Sequence, residues 1–427
     1  MVGLDCITGL QTARILAARG VPVVGVVANS RHWAAHTRSC VQVVASPLAE
    51  PRLMETLHQV SARWPGPAVL LPCTDGSVAY LSRERDLLPA GYRLPLAPDS
   101  TVSMLMDKDS FAGYAARAGL PVPRTVVVGD RGEAEAAARS LEYPCLLKPA
   151  VKSARWLQHT QAKAYLAHDS RQLLSTYDTV ASWSASMIAQ EWVTGPESAL
   201  HSCNAYFDES GRPLATFVAR KVRQWPPDVG TSASGEECRE DEVLRTTLDL
   251  FGGLGFHGLA YLELKRDART GRLVIIEPNV GRPTGRSAIA ELGGVELVYT
   301  AYRHALGLSL PPARTQRYVG AKWVDIRRDA QAALVARRRG RLSLVKWALW
   351  LRGPKAHAIW AADDPVPFAV DLAQATRTGA VRLSSRVRRR LRRPGGPDVV
   401  GERCPDAVTD RGHWAAADDV ATARRQV

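Results

Sequence analysis

Over the first hundred residues the apolar positions switch between two periods. Thr8–Arg19 repeats at helical spacing, Val21–Ala28 (VPVVGVVA) is a continuous apolar run of strand length, Leu53–Arg63 is helical, and Ala68–Pro72 is a short strand. Helices alternating with short apolar strands predict a parallel sheet. Gly3 and Gly9 bracket GLDCITG, which is not GxGxxG and has no adequate strand before it, so no dinucleotide turn is read there. That missing first strand sets up the expectation that the native chain begins upstream of Met1.

A second pattern starts near Met104. Lys108–Ala118 and Glu133–Leu141 read as helices, and Arg124–Val128 and Cys145–Lys148 as strands, the latter closed by Pro149. After Ala150 the pattern is mixed until the strand Ser186–Glu191. Ala199–Phe207 and Pro213–Lys221 are longer strands joined by the turn DESG. Glu240–Gly252 is helical, a hairpin turns at Asp267–Gly271, and Val295–Leu306 is a helix. Beyond residue 313 the chain is rich in arginine and tryptophan with weaker periodicity, and no internal repeat is present. The expected fold class is therefore α/β, divided into a parallel-sheet unit (1–103), a two-part unit (104–185 and 186–312) and a basic C-terminal extension (313–427).

Composition narrows this picture without changing it. The 427 residues are 46% hydrophobic and 23% charged, as in an ordinary soluble globular protein. Seven cysteines are scattered with no CxxC or Cys/His ligand spacing, which fits free thiols in a reducing cytoplasm. MVGLDCITGL lacks the basic start and apolar core of a secretory signal. The net charge of +14 gathers late, in Arg337–Arg341 and Arg386–Arg393. Such runs can meet an anionic bilayer or be solvated, and they show no aromatic interleaving of a nucleic-acid module. Leu342–Leu351 puts Leu344, Trp347, Ala348 and Leu351 at helical spacing, for packing on the protein or for peripheral membrane contact.

Candidate chemistry concentrates in ELKRDARTGRLVIIEPNVGR (263–282). Glu263 lies in the first arm of the hairpin, while Glu277 and Asn279, two apart, share one face of the second. Three oxygen ligands on a rigid platform suit Mg²⁺, which completes its shell with water and substrate phosphates. Upstream, Lys108 opens a helix and Lys148 ends a buried strand, an unusual place for a lysine unless its ammonium meets an anion. Gln190–Glu197 (QEWVTGPE) runs from strand into loop, and Lys221 and Arg223 close a strand. His201 is a lone strand histidine, readable as a packed residue or as a catalytic one.

In this order Asp107-Lys108, Leu146–Pro149 (LLKP), QEWVTGPE and Ile275–Asn279 (IIEPN) resemble the ATP-grasp superfamily, over roughly residues 1–312. The likeness is to its carboxylate–amine ligase and carbamoyl-phosphate-synthase-like branch. It implies a Rossmann-like domain before the ATP-grasp fold, a cytoplasmic enzyme, and ATP with Mg²⁺, two ions that Mn²⁺ can replace. By the resemblance Lys108 and Lys148 contact the α- and β-phosphates. The side chain of Gln190 or Glu191 meets the adenine amine, Trp192 and Val193 hold the purine edge through their backbone, and Glu197 takes the ribose hydroxyls. Lys221 reaches the γ-phosphate, with Arg223 beside it on the same face. Glu263 and Glu277 bridge Mg²⁺, with Asn279 on a second ion, and Arg282 and Arg286 bind an acceptor carboxylate or acyl phosphate.

The implied activity joins a small-molecule carboxylate to an amine through an acyl phosphate, releasing ADP and phosphate. A homodimer is compatible with it, and no nucleic-acid partner is expected. Carboxylase- or carbamoyl-phosphate-type chemistry and a non-catalytic ATP-binding regulatory role are the alternatives. Two departures stand out. Val151–Leu166, where a glycine-rich phosphate lid is expected, contains no glycine, leaving Lys152, Ser153 or Lys163 as substitutes. Tyr261 stands where many such ligases carry an arginine, a charge that Arg282 is placed to supply.

Overall fold

The computed structural model describes residues 1–150, 153–160, 162–228, 230–377 and 407–409. Its largest element is a seven-stranded sheet. In spatial order the strands are Leu273–Val280, Gly258–Arg266, Leu200–Phe207, Pro213–Trp225, Thr231–Glu237, Lys322–Val324 and Lys355–His357. Every pair is antiparallel except the last. A second antiparallel sheet orders 407–409, Ala162–Ala167, Cys145–Pro149, Met187–Glu191 and Thr125–Val128.

The N-terminal unit is parallel, as its pattern predicts. Val24–Val27 pairs with Gln42–Ala45, and Ala68–Val69 with Tyr92–Arg93. Val2 joins the two pairs by parallel bridges to Val26 and Pro72. At the start of the chain these are isolated bridges at Val2 and not a full strand. Gly3 (φ +94°) turns the chain toward the helix Ile7–Ala17, and Gly9 lets that helix close in, since a Cβ there would lie 2.3 Å from the Gly3 carbonyl oxygen.

One apolar cluster runs from Leu10 and Leu16 through Tyr206 and Phe217 to Trp323 and Ile359. The N-terminal helix and the large sheet therefore share a core. On the opposite sheet face the helix Asp241–Gly253 buries Val243, Thr247, Leu250 and Phe251, positions one helical face brings together. Phe207, Phe251 and Phe256 meet there with ring centroids 5.2–6.2 Å apart. Each such aromatic contributes roughly 1.5–3 kcal/mol by leaving water.

Three stretches differ from the sequence expectation. Between Ala150 and Ser186 lie the helix Ala154–His159, the strand Ala162–Ala167 and the helix Ser170–Val180. Thr231–Glu237, unassigned from its sequence, is an interior strand. The chain after residue 312, expected as a basic extension, supplies two of the seven strands of the large sheet and packs the helix Ile326–Arg338 on Pro213–Trp225. It also returns to the first helix, where the Arg14 guanidinium donates to the Asp364 carboxylate at 2.9 Å.

The Leu344–Trp350 helix packs on the protein. Trp347 Nε1 donates to Asp329 Oδ2 at 2.7 Å and Trp350 Nε1 to Glu236 Oε2 at 2.8 Å. No helix among the described residues is long and apolar enough to cross a membrane. Six cysteines in the described residues are free thiols. Arg386–Arg393, Cys404 and Lys152 lie outside the described residues, as does the side chain of Lys163.

Candidate active site

Glu263 and Glu277 stand directly opposite each other in the antiparallel pair, and a register shift just beyond Glu263 marks a bulge there. Lys221, from two strands away, donates to Glu263 Oε2 at 3.0 Å. Arg286 approaches Glu263 Oε1 at 3.9 Å and donates to Ser202 Oγ at 3.0 Å and Ser232 Oγ at 3.2 Å. Burial alone would raise the Glu263 carboxyl, but Lys221 and Arg286 outweigh it and hold its pKa below the usual range.

Glu277 is in the opposite condition. Among the described residues it has no hydrogen-bond or ion-pair partner, and its pKa is raised by enclosure in the cleft and then by the Glu263 carboxylate. Solvent still reaches its side chain from the open side. Two facing carboxylates, one of them without a counter-charge, are a donor set that a hard divalent cation fits. Asn279, buried beside them, turns Oδ1 toward Arg282 Nη2 at 2.9 Å.

Lys148 comes from the second sheet, whereas Lys108 opens the helix Lys108–Arg117, whose Phe111 and Ala115 pack in the core of the large sheet. Lys148 Nζ donates to Gln190 Oε1 at 2.9 Å, and Gln190 Nε2 in turn donates to Thr125 Oγ1 at 2.8 Å. Burial and then the Lys108 ammonium push the Lys148 pKa down to about 8, against the pull of Glu277. Two ammonium groups that feel each other and a lone carboxylate make a charge arrangement suited to a polyanion.

Some expected residues have other engagements. Glu191 Oε1 accepts from the Glu142 N–H at 3.0 Å, so of the two adenine-amine candidates Gln190 is the one on the lysine side. The Trp192 N–H donates to the Pro144 carbonyl at 2.9 Å, whereas the buried Val193 donates from its N–H to nothing among the described residues. Glu197 accepts from the N–H groups of Gln224 (3.0 Å) and Asp228 (2.6 Å), which ties the 224–228 loop to it. Ser153, a candidate substitute in the lid, caps the short helix by accepting from the Trp156 N–H.

Arg223 has a different engagement from the one expected. A register irregularity between Lys221 and Arg223 separates their destinations, and they do not share one site. Arg223 is buried against Asp329, Nε to Oδ1 at 2.6 Å, with Trp350 stacked 4.6 Å from its guanidinium carbon. It therefore ties the C-terminal helices to the sheet. His201 lies on the strand face opposite Ser202, its Nδ1 3.0 Å from the Ala199 carbonyl, in keeping with a packed histidine.

Two participants escape the sequence reading. Lys265 follows Glu263 by two positions and so shares its face; it is buried with its ammonium 4.9 Å from the Trp192 ring centroid. The period of two was the available signal. Asp75, at the start of the helix Asp75–Arg83, bonds Arg282 Nε at 2.5 Å across 207 residues, and no local pattern carries that. Tyr261 Oη lies 3.2 Å from Arg282 Nη1, so the tyrosine and the arginine that would replace its charge are neighbours.

No family model matches the chain. It is 24% identical over 241 residues to the D-aspartate ligase of Enterococcus faecium, covering 54% of this chain and 56% of that enzyme. It is 23% identical over 176 residues to the D-alanine–D-alanine ligase of Stutzerimonas stutzeri, covering 38% and 50%. The chain spans about half the length of these relatives. Among solved structures it resembles the biotin carboxylase domain of Hydrogenobacter thermophilus 2-oxoglutarate carboxylase, crystallised with MgADP, at a TM-score of 0.53 and 14% identity over 72% of this chain and 69% of that one. The motif order, the two antiparallel sheets and these likenesses agree: the chain has an ATP-grasp fold.

Proposed function

We propose that the chain is an ATP-dependent carboxylate–amine ligase. One observation carries the reading: Glu263 and Glu277 face each other in one cleft, with Lys221 and Arg286 on the first and Lys148 and Lys108 beside the second. The relatives named as amino-acid ligases support it.

In this reading a substrate carboxylate oxygen attacks the γ-phosphorus of ATP, the bond to the β,γ-bridging oxygen breaks, and ADP leaves. The amine nitrogen then attacks the acyl carbon, phosphate departs with the bonding pair, and the amine proton is lost to solvent. Lys108 and Lys148 hold the α- and β-phosphates. Gln190, backed by Thr125, and the Val193 N–H take the adenine edge, and Glu197 with its tied loop takes the ribose. Lys221 leaves Glu263 for the γ-phosphate, while Arg282 and Arg286 orient the carboxylate or its phosphorylated form. Mg²⁺ held by Glu263, Glu277 and Asn279 would neutralise charge at the transferring phosphoryl group. The proposal takes two such ions, replaceable by Mn²⁺, and keeps a homodimer and a cytoplasmic location as expectations of the resemblance. Peripheral bilayer contact is not carried forward, because both tryptophans of the Leu344–Trp350 helix face protein.

The test is ADP release from MgATP against a panel of amino acids, with and without hydroxylamine, beside Glu277→Gln. Hydroxamate that requires one carboxylate and disappears in the variant supports acyl-phosphate chemistry. MgATP binding with no turnover for any acceptor would favour the regulatory reading, and no ATP binding would overturn the assignment.

A further inference from the structure

Away from the cleft, Glu209, His257 and His304 bring their ligand atoms within 4.8 Å of one another. Glu209 sits on the turn between Leu200–Phe207 and Pro213–Trp225, His257 immediately precedes the Gly258–Arg266 strand, and His304 is in the last turn of the helix Leu297–Ala305. Glu263 lies six positions along the chain from His257, up to about 20 Å away at strand rise. The cluster is thus separate from the phosphate site.

The spacing is informative. Glu209 Oε1 is 3.5 Å from His257 Nε2, and Glu209 Oε2 is 3.6 Å from His304 Nε2. These are too long for good hydrogen bonds. Two ligands of a tetrahedral zinc ion, each bonded at about 2.0–2.2 Å, stand roughly 3.4 Å apart. Furthermore, His257 Nε2 is shielded from solvent and has no hydrogen-bond partner. A buried ring nitrogen left unpaired costs free energy that a metal bond would recover.

The surroundings hold the three groups in place. Asp208 Oδ1 accepts from the N–H groups of Ser210 and Arg212, both at 3.0 Å, which fixes the turn. Gly211 (φ +77°) lets that turn approach the loop before His257, since a Cβ there would lie 2.9 Å from Gly255 Cα. Tyr206 Oη is 3.0 Å from His304 Nδ1, the kind of outer contact that fixes the tautomer of a ligating histidine.

We propose that Glu209, His257 and His304 form a second divalent-cation site, of the two-histidine, one-carboxylate class that suits Zn²⁺, with water completing the shell. It clasps a hairpin turn, the start of a central strand and a helix end, remote from the reacting groups. The test uses the full chain, stripped with a chelator and titrated with Zn²⁺ by calorimetry and with Co²⁺ by visible absorption.

With excess Mg²⁺ present to occupy the cleft, one equivalent should bind in the native protein and in Glu277→Gln. Binding should weaken at least about tenfold in Glu209→Gln, about tenfold in Tyr206→Phe, and vanish when His257 and His304 are both alanine. Glu209 is an exposed side chain on a turn, so its variant tests the site even if the histidine variant does not fold. The proposal is overturned if Zn²⁺ does not bind stoichiometrically, if Glu209→Gln leaves binding unchanged, or if only Glu277→Gln removes it.

Discussion

Lys148 has an ammonium whose charge depends on pH near neutrality, because burial and Lys108 bring its pKa down to about 8. For a base depressed on folding, the unfolded chain holds more protons between that value and the unfolded one. The destabilisation is therefore complete below about pH 8 and relieved as pH rises toward about 10.4. Phosphate binding reverses the balance, since it needs the charged form. ATP binding near pH 9 should take up a proton, and its affinity should fall by up to about tenfold per pH unit above 8. Calorimetry in two buffers of different ionisation enthalpy checks this, and Lys148→Arg should abolish the proton uptake. Glu277 gives the opposite sign. Its carboxyl is raised on folding, so its contribution to stability is lost as pH rises through its folded pKa. Glu277→Gln should raise the melting temperature of the nucleotide-free protein at neutral pH while removing stabilisation by Mg²⁺. It should also cut ADP release by about 10²–10³-fold, as expected when a group acting on the developing charge is removed. A lower melting temperature in the variant would mean that Glu277 has a partner in solution.

Elements were legible where one face is apolar and obscure where packing is set by small or distant residues. The hairpin carrying Glu263, Glu277 and Asn279 announces itself by apolar arms and a polar turn, and the two arms pair as antiparallel neighbours. Thr231–Glu237 (TSASGEE) does not, because serine, alanine and glycine have weak strand preference. It holds as an interior strand, and its smallness has a use: Arg286 lies over it, within 3.4 Å of where a Gly235 Cβ would be. The same limit hid the Arg223 outcome, since neither the bulge after Lys221 nor Asp329, 106 residues on, is visible locally. Asp329 is fully buried between Arg223 and Trp347. Asp329→Ala leaves a buried guanidinium unpaired and should destabilise by about 3–5 kcal/mol in urea unfolding. Gly281 tests a second junction. At φ +74° a Cβ would lie 2.6 Å from both Leu96 Cδ1 and Val78 Cγ1, so Gly281→Ala should cost about 1–3 kcal/mol and disturb the neighbouring Asn279.

At the scale of the molecule, the regions that sequence separates into units are joined by side chains that cross between them. The chain beyond residue 320 covers the edge of Thr231–Glu237 with Lys322–Val324 and supplies Asp329 to Arg223. A protein ending at residue 320 should therefore expose an interior strand and aggregate, which light scattering after chelation-free purification would register. Asp75 and Arg282 make a comparable link in the other direction, from the parallel-sheet unit to the end of the strand that carries Glu277 and Asn279. Its consequence concerns how such a protein can diversify. An exchange of the first hundred residues for those of a relative would change the orientation of an arginine three positions from Asn279, even though no residue of the strands Gly258–Arg266 and Leu273–Val280 had been altered. Recombination at that boundary is then constrained to partners that keep a carboxylate at the same helix start, and new substrate preferences would arise more readily by substitution within one lineage than by shuffling between lineages.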